Sequence, residues 1–278
     1  MTAGISTDAF TVQLTAREFA WVTDFLYRHT GIVLKPGKEA MVTGRLARRL
    51  KHHNLASYTE YFQRLGDPAA PETQVAVDLL TTNETYFFRE PDHFTFLREA
   101  MLNRQPSSQP VRVWSAASSS GEEAYTTAMV LDDCLNGSRW EVLGTDISTR
   151  VVERAQRGLY PLDAAAKIPQ PLLRKYCLKG RGEFEGYLAI APLLLSNVKF
   201  QTANLIADLP SIGTFDVVFL RNVMIYFDLD TKRELVAKVE QLIRPGGYLL
   251  ISHSETLNAI DTKLTMVKPS IYRAGSPG

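Results

Sequence analysis

A run of small residues, 115–121 (SAASSSG), separates a short apolar segment, 111–114, from two consecutive acids, Glu122 and Glu123. A second apolar segment, 141–145, leads directly into Asp146. Small side chains let backbone approach a ligand closely. An acid at the end of the next strand is where a ribose-binding carboxylate belongs in a nucleoside-binding fold, ~20 residues beyond the small-residue turn. A dinucleotide needs a G-x-G-x-x-G turn and rests its phosphate charge on a helix N-terminus. Here one glycine is followed at once by two carboxylates, which repel a pyrophosphate. They suit the amino group and sulfonium of S-adenosylmethionine, which carries no phosphate. The plainer alternative is that Glu122 and Glu123 complement a helix dipole and that Asp146 caps the following helix.

These residues need a parallel sheet to position them. From residue 111 onward, apolar runs alternate with helical periodicity. Strands are predicted at 111–114, 141–145, 216–220 and 248–252, and helices at 121–135, 149–157 and 231–243. Such alternation implies right-handed crossovers and a mainly parallel sheet. Residues 266–273 read as a closing strand pair. A glycine-punctuated stretch, 180–186, interrupts the pattern, and 187–190 and 198–200 are expected to flank a small antiparallel excursion spanning 180–201.

The front of the chain reads as helices alone. Thr15 and Glu18 have capping-box spacing ahead of Phe19, Val22, Phe25 and Leu26. Further helices are expected from about 38 to 53, from Ser57 to near Gly66, and over 72–80, with a linker at 67–71. The expected division is therefore a helical domain over 1–80 and an α/β domain over 81–278. On the second helix, Arg45, Arg48, Arg49 and His52 recur at helical spacing and form a basic stripe suited to an acidic helix, or simply to water.

Composition narrows the classes. The net charge is +1, so no overall field draws the chain to nucleic acid or a membrane. The two cysteines, Cys134 and Cys177, lie far apart and suggest a reducing compartment. The opening MTAGISTDAF lacks a charged start followed by an apolar run, and no apolar stretch approaches the ~20 residues of a membrane helix. A cytoplasmic location is expected. Ser252, His253 and Glu255 lie close in sequence, but no G-x-S-x-G elbow supports a hydrolase. The five histidines are scattered without ligand spacing, so no metal is expected.

Several segments together resemble the CheR chemotaxis receptor methyltransferases: 81–90 (TTNETYFFRE), 113–117 running into Ser120-Gly121-Glu122-Glu123, 144–147 (GTDI), 215–228 ending RNVMIYFD, and 244–255. The resemblance spans nearly the whole chain. It implies a Rossmann-like methyltransferase domain preceded by a small all-helical domain and carrying a small antiparallel β subdomain. It implies methyl transfer from S-adenosylmethionine to glutamate side chains on the cytoplasmic helical bundle of chemoreceptors, with no nucleic acid and no membrane insertion. Cofactor contacts then fall on Asn83, Thr85, Arg89, Glu123, Asp146, Asn204, Leu205, Arg221 and Asn222, with Asp146 on the ribose hydroxyls. Arg89 and Tyr226 are the implied reaction-site residues, and Arg45, Arg48 and Arg49 the implied receptor contacts. Some members hold a peptide from a receptor's C-terminus at the β excursion by strand addition. Ala124, Ser119 and Ser252 depart from the family's usual proline, threonine and glycine. The rival readings are a methyltransferase for another substrate and a non-catalytic scaffold that binds the donor; a dehydrogenase is more distant.

Overall fold

A computed structural model describes residues 12–65, 70–104, 108–135, 137 and 139–275. They form two compact units, divided between Thr81 and Thr82. Most of the expected linker at 67–71, and the expected helix end at Gly66, lie outside the described residues.

The first unit is four helices: α1 (Ala16–Thr30), α2 (Glu39–His52), α3 (Tyr58–Arg64) and α4 (Pro71–Leu80). The capping box expected at Thr15 is present. Its hydroxyl accepts from the Glu18 N–H at 3.2 Å, and Glu18 Oε2 accepts from the Thr15 N–H at 2.9 Å. The other carboxylate oxygen of Glu18 accepts from Thr59 N–H and Oγ1 at 2.7 and 2.8 Å, so one acid caps α1 and ties it to α3. Val42, Leu46 and Leu50 recur every four residues along α2 and are buried with Val22, Phe25 and Leu26 of α1. Each such side chain contributes about 1.5–3 kcal/mol by leaving water.

The second unit contains α5 (Pro91–Leu102), β1 (Val111–Ser115), α6 (Glu122–Leu135), β2 (Trp140–Asp146), α7 (Thr149–Arg157), β3 (Leu159–Pro161), α8 (Gln170–Tyr176), β4 (Cys177–Lys179), β5 (Tyr187–Ile190), α9 (Pro192–Leu195), β6 (Val198–Thr202), β7 (Phe215–Leu220), α10 (Leu229–Gln241), β8 (Ile243–Ile251), β9 (Thr265–Lys268) and β10 (Ile271–Arg273). Seven strands form one sheet in the order β6-β2-β1-β7-β8-β10-β9. The first five are mutually parallel, and β10 and β9 close the sheet antiparallel. This is the mainly parallel Rossmann-like α/β architecture read from the alternation of strands and helices.

The register places the functional segments. Ser115 of β1 pairs with Gly144 of β2 and with Phe219 of β7, and Leu220 of β7 pairs with Ile251 of β8. The residues that follow, namely the 116–121 loop, Asp146, Arg221 and Ser252, therefore emerge at one end of the sheet. That carboxyl end is where ligands bind in open parallel sheets.

The expected excursion needs correction. The small antiparallel sheet is β3-β5-β4 and draws its strands from 159–190. Residues 198–202 are not part of it: they form β6, which pairs parallel with β2 from Val142↔Val198 to Asp146↔Thr202. The apolar Val198 and Phe200 look the same to a periodicity argument in either sheet; only the β2 pairing decides. The strand expected at 248–252 begins earlier, at Ile243, with a register shift opposite Phe215–Val217 that accommodates Pro245-Gly246-Gly247.

Candidate functional site

The loop after β1 is shaped by backbone that most side chains avoid. Gly121 has φ +96°, and a Cβ there would stand 2.8 Å from Ala155 Cβ and 3.0 Å from both Phe200 Cζ and Tyr160 Oη. The glycine therefore answers to packing as well as to conformation. Ser119 is also left-handed, at φ +48°. Its N–H donates to Asp146 Oδ2 at 2.8 Å, and Asp146 Oδ1 accepts from the Ser148 N–H at 3.0 Å. The Ser148 contact is a turn two residues long that leads into α7, whose N-cap is Ser148 itself, so this bond is not the helix cap expected of Asp146. These two backbone donors fix the orientation of the carboxylate at the β2 tip.

Glu122 and Glu123 open α6 and behave differently. Glu122 turns inward and accepts from Ser120 Oγ at 2.7 Å, and burial pushes its carboxyl up. Glu123 accepts from Ser115 Oγ at 2.7 Å and from Arg221 Nη1 at 3.0 Å. Burial pushes its carboxyl up as well, against the pull of Arg221. Arg221 leaves the tip of β7 with its side chain 1% exposed. It pairs with Glu123 and, at 3.3 Å, with Glu90, and its Nη2 donates to the Arg89 carbonyl. Burial alone would raise the Glu90 carboxyl, but Arg221, the Ser252 hydroxyl and His93 together hold it below the usual carboxylate range. The Nε of Arg221 is buried without a hydrogen-bond partner in the protein, as is Ser118 Oγ in the β1 loop.

Segment 83–90 is stitched to this centre at three points. Ser119 Oγ donates to the Asn83 carbonyl at 2.8 Å, the Phe88 N–H donates to Thr126 Oγ1 at 3.2 Å, and Arg221 holds the Arg89 carbonyl. Arg89 itself is partly exposed. Its guanidinium donates to the Glu84 carbonyl at 2.8 Å and lies 5.8 Å from the Tyr86 ring centre. After β7, Asn222 takes φ +57° and donates from Nδ2 to Ser252 Oγ at 2.7 Å. Tyr226 closes the short 3₁₀ turn Met224–Tyr226 and is partly exposed. Ala203 N–H donates to the Asp146 carbonyl at 2.9 Å, bringing Asn204 and the buried Leu205 next to the β2 tip. Asn204 Oδ1 accepts from the Ile206 N–H at 3.2 Å, the Asx turn that its residue type suggests.

Three residues of this centre carried no role in the sequence reading. Glu90 bridges Arg221 and Ser252 Oγ, the latter at 2.7 Å. Ser252 thereby joins Glu90 to Asn222. Half-buried Glu255 accepts from the backbone N–H groups of Ser252, Asn222 and Ile225 at 2.9, 3.2 and 3.2 Å. The Ser-x-x-Glu spacing of 252–255 is the signal that points to it, since that spacing lets a carboxylate reach back to the serine N–H.

The basic stripe of α2 divides. Arg45 Nη1 donates to the Leu80 and Thr81 carbonyls at 2.7 and 3.0 Å, satisfying the end of α4. Arg49 makes a fork to Glu72 at 2.8 and 2.6 Å. Burial would raise the Glu72 carboxyl, but Arg49, Tyr61 and His53 together hold it down at about 2. Arg48, Lys51 and His52 remain exposed on one face.

The strand tips present carboxylates, carbonyls and small hydroxyls around an Arg221 guanidinium already paired with Glu90 and Glu123. Ribose hydroxyls, an ammonium and a sulfonium all find acceptors or counter-charge there, so these residues fit S-adenosylmethionine. A parallel sheet presenting this loop and these acids at its carboxyl end defines a Rossmann-like methyltransferase domain. A family model described as "CheR methyltransferase, SAM binding domain" matches residues 83–273, and one described as "CheR methyltransferase, all-alpha domain" matches 17–81. The chain is 38% identical over 261 residues to chemotaxis protein methyltransferase 2 of Pseudomonas aeruginosa, covering 93% of each. It is 36% identical over 263 residues to the chemotaxis protein methyltransferase of Escherichia coli, covering 93% of this chain and 91% of that one. The corresponding protein of Borreliella burgdorferi is 34% identical over 277 residues, with 94% and 95% covered. The chain belongs to the CheR methyltransferase family, and its cofactor is S-adenosylmethionine.

Proposed function

We propose that this methyltransferase esterifies glutamate side chains on the cytoplasmic helical bundle of chemoreceptors, with Arg89 and Tyr226 at the reacting carboxylate. The observation that carries the reading is the convergence of Glu123, Asp146 and Arg221 at the strand tips, with segment 83–90 bonded onto the same loop. Bound S-adenosylmethionine supplies a methyl on a positively charged sulfur that departs as a neutral thioether. A glutamate carboxylate is already ionised near neutral pH, so the protein needs no general base. Its task is orientation and electrostatics.

On this reading Asp146 accepts from the ribose hydroxyls. Glu123 places negative charge near the cationic end of the donor. Asn83, Thr85, Asn204, Leu205 and Asn222 line the rest of the cofactor site, and Arg221 fixes Glu123 and the backbone of Arg89. Arg89 offers paired N–H groups to the incoming carboxylate. That grip must remain loose, because both reacting groups lose charge in the transition state. Tyr226 supplies a hydroxyl and a wall beside the methyl.

In the helical unit, the exposed face of Arg48, Lys51 and His52 is the part of the α2 stripe suited to an acidic receptor helix. Arg45 and Arg49 support that face from within. A receptor's C-terminal peptide is proposed to add to β4, an edge strand of the small sheet beside exposed Leu178, Phe184 and Tyr187.

Incubating the chain with labelled donor and receptor cytoplasmic fragments tests the reaction. The label should enter the receptor and leave as methanol in mild alkali, the behaviour of a carboxyl ester. Alkali-stable label would mean a different acceptor. Donor binding without transfer to any receptor fragment would favour the scaffold reading.

A further inference from the structure

We propose that Glu90, His93 and His253 form a site for one divalent transition-metal ion of the zinc class, with Ser270 setting the tautomer of both imidazoles. One ligand atom from each lies within 4.8 Å of the others. The three residues are separated by up to 163 positions, so no ligand spacing is visible in the sequence.

The argument begins at Ser270. Its hydroxyl has one proton, and Oγ lies 2.6 Å from the Pro269 carbonyl, which takes it. The same oxygen lies 2.8 Å from His93 Nε2 and 3.1 Å from His253 Nδ1. With its proton donated elsewhere, Ser270 Oγ accepts from both rings. Each neutral imidazole then carries its hydrogen toward Ser270 and its lone pair on the other nitrogen. Those nitrogens, His93 Nδ1 and His253 Nε2, stand 3.4 and 4.0 Å from Glu90 Oε2.

Two lone pairs and a carboxylate oxygen facing one another repel unless a cation lies between them. His93 is fully buried and its Nδ1 has no hydrogen-bond partner. A metal ion meets the need. Ligating histidines characteristically donate the second ring N–H to an oxygen acceptor, the role Ser270 fills here.

The geometry is close to a four-coordinate site. Zinc bonds of ~2.0–2.1 Å in a tetrahedron place ligand atoms roughly 3.3–3.4 Å apart. The Glu90–His93 separation already meets this. His253, whose side chain is 47% exposed, must move inward by roughly 1–1.5 Å to close the 4.8 Å spread to that value, and it leaves an entry path and a place for water. The opposing charge is Arg221, 3.3 Å from the same Glu90 oxygen, but Glu123 shares that guanidinium. Two carboxylates against one guanidinium leave the locality negative. Metal binding draws on Glu90, loosens its hold on Arg221, and joins the 90–93 turn to the 252–253 loop, linking metal occupancy to the methyl-donor site.

The test uses the full chain after chelator treatment. Titration with ZnCl2 against a competing chelator should give one tight equivalent, and CoCl2 should give the strong visible absorption of four-coordinate cobalt. His253→Ala, an exposed change that leaves the core intact, should weaken Zn2+ at least tenfold and abolish the cobalt band. Ser270→Ala, which retains all three ligands, should weaken Zn2+ by about 10–100-fold. Absence of the cobalt band in the unmodified chain, or Zn2+ affinity unchanged in His253→Ala, would overturn the proposal.

Discussion

Replacing Arg221 with methionine tests whether one buried guanidinium holds the strand tips together. The substitution keeps an unbranched side chain of similar length and removes two ion pairs, at 3.0 Å to Glu123 and 3.3 Å to Glu90. Both carboxylates are about 15% exposed, so little water replaces the lost charge. Removing one partner of a buried ionic cluster costs about 3–5 kcal/mol, because the remaining charges lose their compensation. In a domain of ~200 residues each kcal/mol moves Tm by roughly 2–4 °C, so the variant should melt about 6–20 °C lower at pH 7.5. The pH dependence is diagnostic. In the parent, Glu90 titrates below the usual carboxylate range, so its contribution is full above the unfolded value of about 4.3 and fades as pH falls through the lower folded value. In the variant the largest charge opposing burial is gone, so both carboxyls shift upward from their parent values. Their protonation therefore relieves the variant as pH falls from 7.5 toward 5, and the gap in Tm should narrow. Arg221→Lys, which keeps the charge but not the fork, should fall between the two. Differential scanning calorimetry from pH 5 to 8 reads all three. A gap below 2 °C at pH 7.5, or one that stays constant on acidification, refutes the reasoning.

Other changes separate the roles of the remaining residues. Asp146→Asn should weaken S-adenosylmethionine binding at least tenfold by calorimetric titration while folding persists, since an amide keeps one acceptor oxygen for the loop. Arg89→Ala and Tyr226→Phe should lower kcat more than donor affinity in the receptor-fragment assay; unchanged turnover in both removes them from the reaction site. Arg48→Glu should reduce kcat/KM for receptor fragments by about 3–10-fold at low salt, with the difference disappearing near 1 M salt, where screening reaches ~3 Å. Glu72→Gln should destabilise the helical unit by about 2–3 kcal/mol through loss of its charged bonds to Arg49 and Tyr61, read as faster hydrogen exchange in α2 and α4. In the parent, that contribution should be complete above about pH 4.3 and decline as pH falls toward the folded value of about 2.

The alternation of strands and helices, the small-residue loop and the acid at the β2 tip are all local signals, so the parallel sheet and the place of its site are legible from residues 111 onward. The three-residue strands Leu159–Pro161 and Cys177–Lys179 have too few positions to show a period, and their partner lies up to 30 residues away. Helix α5 begins after Glu90, at φ +55°, without a side-chain cap, so Pro91 and Asp92 are the local signals left to mark its start. On α2, helical spacing correctly groups Arg45, Arg48 and Arg49, but their fates depend on Glu72 and the carbonyls of Leu80 and Thr81, which periodicity within one helix cannot reveal. Glu90, Ser252 and His253 meet through the sheet register, which brings together residues about 160 positions apart.

Phe200 on β6 faces both glycines of the neighbouring strand-and-loop segment. A methyl at Gly144 would fall 2.5 Å from its ring, and one at Gly121 would fall 3.0 Å from its edge. Gly144, unlike Gly121, has no positive φ to protect. The ring alone bars an alanine there. Sequence drift at these positions is therefore ordered in time: a lineage must first trim residue 200 before position 144 can enlarge, and it cannot then restore phenylalanine without undoing the second change. The small residues around the donor loop therefore answer partly to a neighbouring ring and not to ligand chemistry alone.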